Sequence, residues 1–248
     1  MRRKNGEILT RLTTIAVLSA LGFLLMAFAR FPYPIAPWLM IEVSDLVVLI
    51  AYALYGFTGG IITAILKTLL DFAINGLSGF MGIGNITALI TSLMYVFGLF
   101  LCSRVFHLFK KGLPFRILGY LFITILVSIV MTLLNVLFIT PTYLKGEFAT
   151  CFDSETVSNI ITTFQDMGIK ANGYLGCIVI VYLPFNLMKG ALICLIYEIL
   201  FNRLIFVLMT NSPFMRKYFL GPITKNENST KKDKEKENIK YNSKEMEE

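Results

Sequence analysis

The sequence predicts an all-α membrane protein of six transmembrane helices, with the N- and C-termini both in the cytoplasm. Three observations carry that reading. The chain is 56% hydrophobic and only 16% charged over 248 residues, where a soluble domain averages about 25% charged. Several apolar runs approach the ~20 residues that span a bilayer. The basic residues sit at the chain ends and in one short loop, as the positive-inside rule places them on the cytoplasmic side. The net charge of +7 is therefore a topology signal; it points to the lipid bilayer as a partner and to no nucleic acid.

The first span covers about 10–30, its start held in the cytoplasm by Arg2, Arg3, Lys4 and Arg11. The run is too long for a signal h-region and no clear small-residue cleavage site follows it, so it is kept as a span. Ala16 and Ala20 lie one turn apart, a spacing that lets another helix approach closely, in this chain or in a partner. Phe31-Pro-Tyr-Pro-Ile-Ala-Pro-Trp38 cannot be helical, because each proline drives its predecessor towards an extended conformation. So apolar a loop either folds back over a cavity or lies in the membrane interface, where Trp38 would also serve as an anchor.

Residues 45–74 are almost continuously apolar. As one helix they would measure ~45 Å, against a hydrocarbon core of ~30 Å. Gly56, Gly59 and Gly60 mark the natural break. Charge selects two short spans, 45–56 and 60–74. Only then does the loop after the next span (80–103), with Arg104, Lys110, Lys111 and Arg116, fall in the cytoplasm together with the basic C-terminus. The fifth span covers 115–139 and is expected to stop before Pro141. A polar connection follows over 142–171. Val157, Ile160, Ile161 and Phe164 recur there at helical spacing and predict a short amphipathic helix on the outer side. The sixth span covers 173–200, and residues 203–220 are expected to continue along the surface. The membrane domain thus occupies 1–220. Residues 221–248 alternate Lys, Glu, Asn and Ser with almost nothing to bury, and predict a disordered charged cytoplasmic tail.

No catalytic or metal chemistry is legible. The four cysteines show no CxxC spacing, and His107 stands alone in the basic loop. There is no GxxxxGK[ST] loop for ATP hydrolysis, no HExxH and no GxSxG. What stands out is polar side chains inside apolar spans. Asn186 and Lys189 share one helix face in Tyr182-Leu-Pro-Phe-Asn-Leu-Met-Lys189, and a lysine near the midplane is costly enough to mark a function or a firm pairing. No acid is spaced to neutralise Lys189 locally, Glu198 being nine residues away. The pair therefore invites an acceptor-rich ligand, such as a heterocycle with carbonyls and ring nitrogens. Asn85 and Asn135 lie near the outer ends of their spans and suit either the ligand or a helix–helix bond. Lys67 lies mid-span and at i, i+4 from Asp71, so the two also suit a simple pair. Ser44 and Asp45 suit helix capping. Most of these groups cluster in the outer half, which fits a pocket open to the outside better than a continuous ion path.

These stretches also resemble a known family, the riboflavin-specific S components of energy-coupling factor (ECF) transporters. Tyr182-Leu-Pro-Phe-Asn-Leu-Met-Lys189-Gly190 resembles their last-helix signature, and Trp38-Leu-Met-Ile-Glu-Val-Ser-Asp45 after the proline-rich loop is similar too. Leu54-Tyr-Gly56, Gly59-Gly60, Ile65-Leu-Lys67, Gly84-Asn85 and Leu133-Leu-Asn135 match in order, so the likeness covers about residues 8–210 outside the polar connection. The resemblance implies the six-helix S-component fold and riboflavin, as transported ligand and not cofactor, taken from outside under a closing first loop. It implies no enzymatic activity and a multi-pass location in a prokaryotic cell membrane. It implies association with a transmembrane T component and two cytoplasmic ATPases that supply the energy. Carried over by position, Asn135, Asn186 and Lys189 would hydrogen-bond the flavin, with Asn85, Lys67 and Trp38 as further site residues, and Ala16 and Ala20 would face the T component. The chain departs from the family at Gly82-Ile-Gly84-Asn85, where relatives often carry an acid. The alternatives are an S component for a different vitamin, or a self-sufficient secondary transporter, which needs charged groups across the full membrane thickness. A membrane enzyme would need His, Cys or acid clusters that the sequence lacks.

Overall fold

The computed structural model describes residues 2–77, 82–110 and 112–200. The expected surface segment 203–220 and charged tail 221–248 lie outside the described residues. Helix α1 (Arg2–Phe28) leads into an antiparallel hairpin, β1 (Arg30–Tyr33) and β2 (Ala36–Glu42). There follow α2 (Asp45–Asn75), α3 (Ile83–Phe100), α4 (Leu113–Leu134), α5 (Thr140–Lys145), α6 (Ser154–Asp166) and α7 (Gly173–Ile199). Five helices among the described residues are long and apolar enough to cross a membrane: Ile8–Phe28, Asp45–Asn75, Ile83–Val105, Leu113–Lys145 and Gly173–Ile199.

The all-α expectation needs one correction. The proline-rich loop is a two-stranded hairpin, with Arg30 opposite Glu42, Phe31 opposite Ile41 and Pro32 opposite Met40. Proline disfavours helix but is tolerated on an edge strand, and a two-stranded hairpin consists only of edges. The sequence shows no period-2 alternation here because Tyr33 and Ala36 are buried while their neighbours are exposed.

The break expected at the glycine cluster is present. Gly56 has φ 74° and ψ −162°, a backbone state that only glycine enters readily. It divides α2 into two unequal helical arms. The expected stop before Pro141 is not present. A π-helical turn over Asn135–Ile139 connects α4 to α5, and Pro141 falls in the first turn of α5. At that position its missing N–H costs nothing, so the helical path runs on to Lys145. The amphipathic segment is α6, with Ile160 and Phe164 buried.

Helix α1 packs along α2, α2 along α3, and α4 along α7. Helices α4 and α7 approach closely at Gly190. A Cβ there would lie 2.9 Å from Thr124 Cγ2 and 3.4 Å from Thr124 Cα. Two apolar clusters result. The larger joins α2, α3, α4 and α7 around Leu49, Tyr95, Val96, Ile123 and Ile193. The smaller joins the hairpin, α6 and the start of α7 around Tyr33, Ala36, Ile160, Phe164, Ile178 and Phe185.

Candidate functional site

Between these two clusters lies a cavity of about 250 Å³, bounded by the hairpin, α2, α3, the α4–α5 turn and α7. Helix α7 contributes most of its chemistry. Tyr182, Phe185, Asn186 and Lys189 are all buried and line it, because residues three and four apart share a helix face. Pro184 within α7 removes one i→i−4 bond in the same stretch.

The hairpin closes over α7. Trp38 Nε1–H donates to Tyr182 Oη at 3.3 Å, and the Trp38 ring meets Phe164 of α6 edge-on at 5.8 Å. Tyr33 meets Phe185 edge-on at 5.4 Å. Edge-to-face pairs of this kind add about 0.5–1.5 kcal/mol beyond burial. Trp38 is therefore tied to the cavity roof, which replaces its reading as a free interfacial anchor.

The polar residues sort into two groups. Trp38, Asn135, Asn186 and Lys189 line the cavity. Lys67 and Asn85 are not among the lining residues and stand behind it. Lys67 does not pair with Asp71, as the i, i+4 spacing allowed. Its Nζ donates to Asp45 Oδ1 at 2.7 Å and Ser44 Oγ at 2.8 Å, its stem lying 3.4 Å from where a Cβ on Gly22 of α1 would be. Capping by Ser44 is likewise absent; no side-chain cap bond forms at the start of α2. Ser92 Oγ of α3 also donates to Asp45 Oδ1, at 2.5 Å. Asp71 instead accepts Asn75 Nδ2–H and Asn85 Nδ2–H, each at 2.7 Å.

The absence of a local acid for Lys189 is corrected by the fold. Lys189 Nζ lies 3.3 Å from Glu42 Oε1 at the end of β2 and 3.4 Å from Asp45 Oδ2. Two ammonium groups and two carboxylates thus share one buried network, balanced in charge. Sequence spacing could not find it, because Glu42 is 147 residues from Lys189. The visible signal was Glu42 and Asp45 standing together just before a span.

Asn135 opens the π-helical turn. Its Nδ2 donates to Met131 O at 2.8 Å and its Oδ1 accepts Thr140 Oγ1–H at 3.1 Å. Such single turns often occur at functional sites. Asn186 differs: its Nδ2 is buried and has no hydrogen-bond partner among the described residues. A buried unpaired amide donor costs about 1–3 kcal/mol, and this one borders the cavity beside a lysine. Ala16 and Ala20 are exposed on α1, opposite the buried Ile15, Ser19, Phe23 and Met26. They do not pack against the described residues.

A cavity among helices long and apolar enough to cross a membrane, with donors on one helix, fits a solute-binding membrane protein. A family model for the ECF transporter, substrate-specific component, matches residues 10–201, and the chain belongs to that family, whose members are transporter subunits and not enzymes. It is 28% identical over 204 residues to riboflavin transporter RibU of Staphylococcus aureus (strain TCH60), covering 82% of this chain and 94% of the relative. It is also 28% identical over 195 residues to riboflavin transporter FmnP of Bacillus subtilis (strain 168), covering 78% and 91%. A solved structure of the S component of a bacterial ECF transporter superposes with a TM-score of 0.55 at 25% identity, covering 80% of this chain and 97% of that one.

Proposed function

We propose that this chain binds riboflavin in the cavity beneath the hairpin and serves as the substrate-specific subunit of an ATP-driven importer. The observation that carries the ligand chemistry is the unpartnered Asn186 amide beside the Lys189 ammonium. A flavin ring presents carbonyl oxygens and ring nitrogens along one flat edge, which are acceptors for those two donors. Asn135 adds an amide at the same wall. Trp38, Tyr182 and Phe185 supply aromatic surface for the ring. Lys67 and Asn85 act at one remove, by holding Asp45 and Asp71. Agreement with two curated riboflavin transporters over most of the chain supports the same ligand.

The protein works in the cell membrane of a prokaryote, with both termini cytoplasmic. The two arms of α2 act as two short spans, giving six. A T component and two ATPases provide the energy, since the sequence has no ATP-binding loop of its own. Ala16 and Ala20 face that T component, their small side chains permitting close helix approach.

The test is the purified protein in detergent. Bound oxidised flavin absorbs in the blue and colours the sample yellow. Titrated riboflavin loses its fluorescence as it enters an aromatic cavity. A colourless sample that leaves riboflavin fluorescence unquenched would falsify the proposal. Quenching by a different vitamin in competition, with none by riboflavin, would keep the fold and change the substrate.

A further inference from the structure

Asp71 is the one polar residue of the cavity wall that the sequence reading left as a simple lysine partner. It is 3% exposed, borders the cavity, and forms no ion pair among the described residues. Lys67, one turn before it, is committed to Asp45 and Ser44. Two amides hold the carboxyl group instead, Asn75 Nδ2–H on Oδ1 and Asn85 Nδ2–H on Oδ2. Both oxygens therefore act as acceptors. A carboxylate offers about four acceptor sites in all, so two amide bonds leave acceptor capacity facing the cavity.

Its position relative to Lys189 follows from α3. Asn85 binds Asp71, and Ser92 binds Asp45, which in turn lies against Lys189. Seven residues separate Asn85 from Ser92, a rise of about 10 Å along the helix. The cavity thus has a donor pole at Lys189 and Asn186 and an acceptor pole at Asp71, about 10 Å apart. Thr87 and Ala88 of α3 and the apolar Met26 line the wall between.

The geometry points to Asp71 as the specificity-determining residue for the ligand's polyhydroxyl chain. This rests on the riboflavin reading above and deepens it. With the ring's acceptors at Lys189 and Asn186, the chain hydroxyls reach Asp71 and donate to it. A phosphate at the chain's end has no such donor to give and brings like charge against a carboxylate with no countercharge. Like charges repel most where water is scarce, and a site built to accept from hydroxyls rejects analogues that lack them. Arg30, exposed on β1 at the cavity rim, is the competing feature, because it would attract a phosphate.

The experiment titrates the full chain in detergent with riboflavin, riboflavin phosphate and lumiflavin, which has the ring and no hydroxyl chain, reading flavin fluorescence. In the unaltered protein, riboflavin phosphate and lumiflavin each bind at least about tenfold more weakly than riboflavin. Asp71→Asn weakens riboflavin by about tenfold, leaves lumiflavin within about twofold, and narrows the gap between riboflavin and its phosphate. Equal affinity for riboflavin and its phosphate in the unaltered protein would assign the rim to Arg30 and overturn the proposal. So would an Asp71→Asn variant that weakens lumiflavin as much as riboflavin, which would put Asp71 against the ring. If Asp71→Asn does not fold, the three affinities of the unaltered protein decide alone. Absence of any riboflavin binding in the unaltered protein overturns the parent reading, a result distinguishable from every outcome above.

Discussion

Asp45 should be the most sensitive acid in the molecule. It is fully buried and receives Lys67 at 2.7 Å, Ser92 at 2.5 Å and Lys189 at 3.4 Å. Asp45→Asn keeps the shape and removes the charge, leaving the buried Lys67 ammonium without its carboxylate and Lys189 with Glu42 alone. Breaking a buried pair in this way costs about 3–5 kcal/mol. For a chain of this size each kcal/mol lowers Tm by roughly 2–4 °C, so the expected drop is about 6–20 °C. The assay is thermal unfolding in detergent, followed by circular dichroism. Removing the second partner tests the cause. In Asp45→Asn with Lys67→Met, the orphaned ammonium is replaced by an apolar chain of similar length. Such replacements are often near neutral, so the double variant should recover at least about 2 kcal/mol, or roughly 4–8 °C. A loss below about 2 °C for Asp45→Asn, or strictly additive losses in the double variant, would refute the reasoning that the Asp45–Lys67 pair, with one partner on each arm of α2, holds those arms together.

Lys189→Ala removes an ammonium from the donor pole and should weaken riboflavin about 10- to 100-fold while the protein still folds, as read by fluorescence titration; unchanged affinity removes Lys189 from the site. Gly190→Val drives a side chain into Thr124, which a Cβ alone would already meet at 2.9 Å. The expected loss is about 1–3 kcal/mol in thermal unfolding, and an unchanged Tm would show that α4 and α7 can separate freely. Ala16→Trp with Ala20→Trp should abolish co-purification with a co-expressed T component while leaving riboflavin affinity unchanged, because both residues are exposed on α1; a retained complex moves the interface elsewhere. In the polar connection between α5 and α6, the Lys145 ammonium and the Thr156 hydroxyl hold the Asp153 carboxyl down to about 2. A depressed carboxyl stabilises the fold above its ordinary value of 3.8 and loses that contribution as pH falls towards about 2. Amide protection in α6, taken as exchange corrected for the intrinsic pH dependence of the amides, should therefore be high at pH 5 and fall as pH drops below 4, and a flat protection profile would detach Asp153 from the anchoring of α6.

Much of the architecture was legible because the bilayer constrains it one-dimensionally. Apolar length set the spans, Gly56 and its neighbours set the break, and the 3.6-residue period set α6. Pro141 misled, because a proline stops a helix only where its missing N–H is needed. The π-helical turn before it shifts the register and seats it in a first turn. The hairpin was hidden for a related reason: three prolines forbid helix, but nothing local says which extended segment finds a partner.

For the cavity, the chain's own order was enough to single out Asn135, Asn186 and Lys189, since a polar group inside an apolar run is visible without neighbours, whereas Trp38 came in through the family resemblance. It was not enough to say which charges meet. Lys67 turned away from Asp71, four residues on, to Asp45, twenty-two residues back, and Lys189 found Glu42 on the far side of the chain. Helical spacing reports only contacts within one helix, whereas countercharges in a membrane protein are found across helices. The sequence by itself determined that this is a helical membrane protein with polar donors inside its last apolar helix. Only the tertiary structure decided that Lys189 is neutralised, that Asn186 borders the cavity with an amide N–H unpaired among the described residues, and that Asp71 faces the cavity. The physical reason is the dry interior. Each buried charge or amide must be matched there, and the packing of α2, α3, α7 and the hairpin chooses the match.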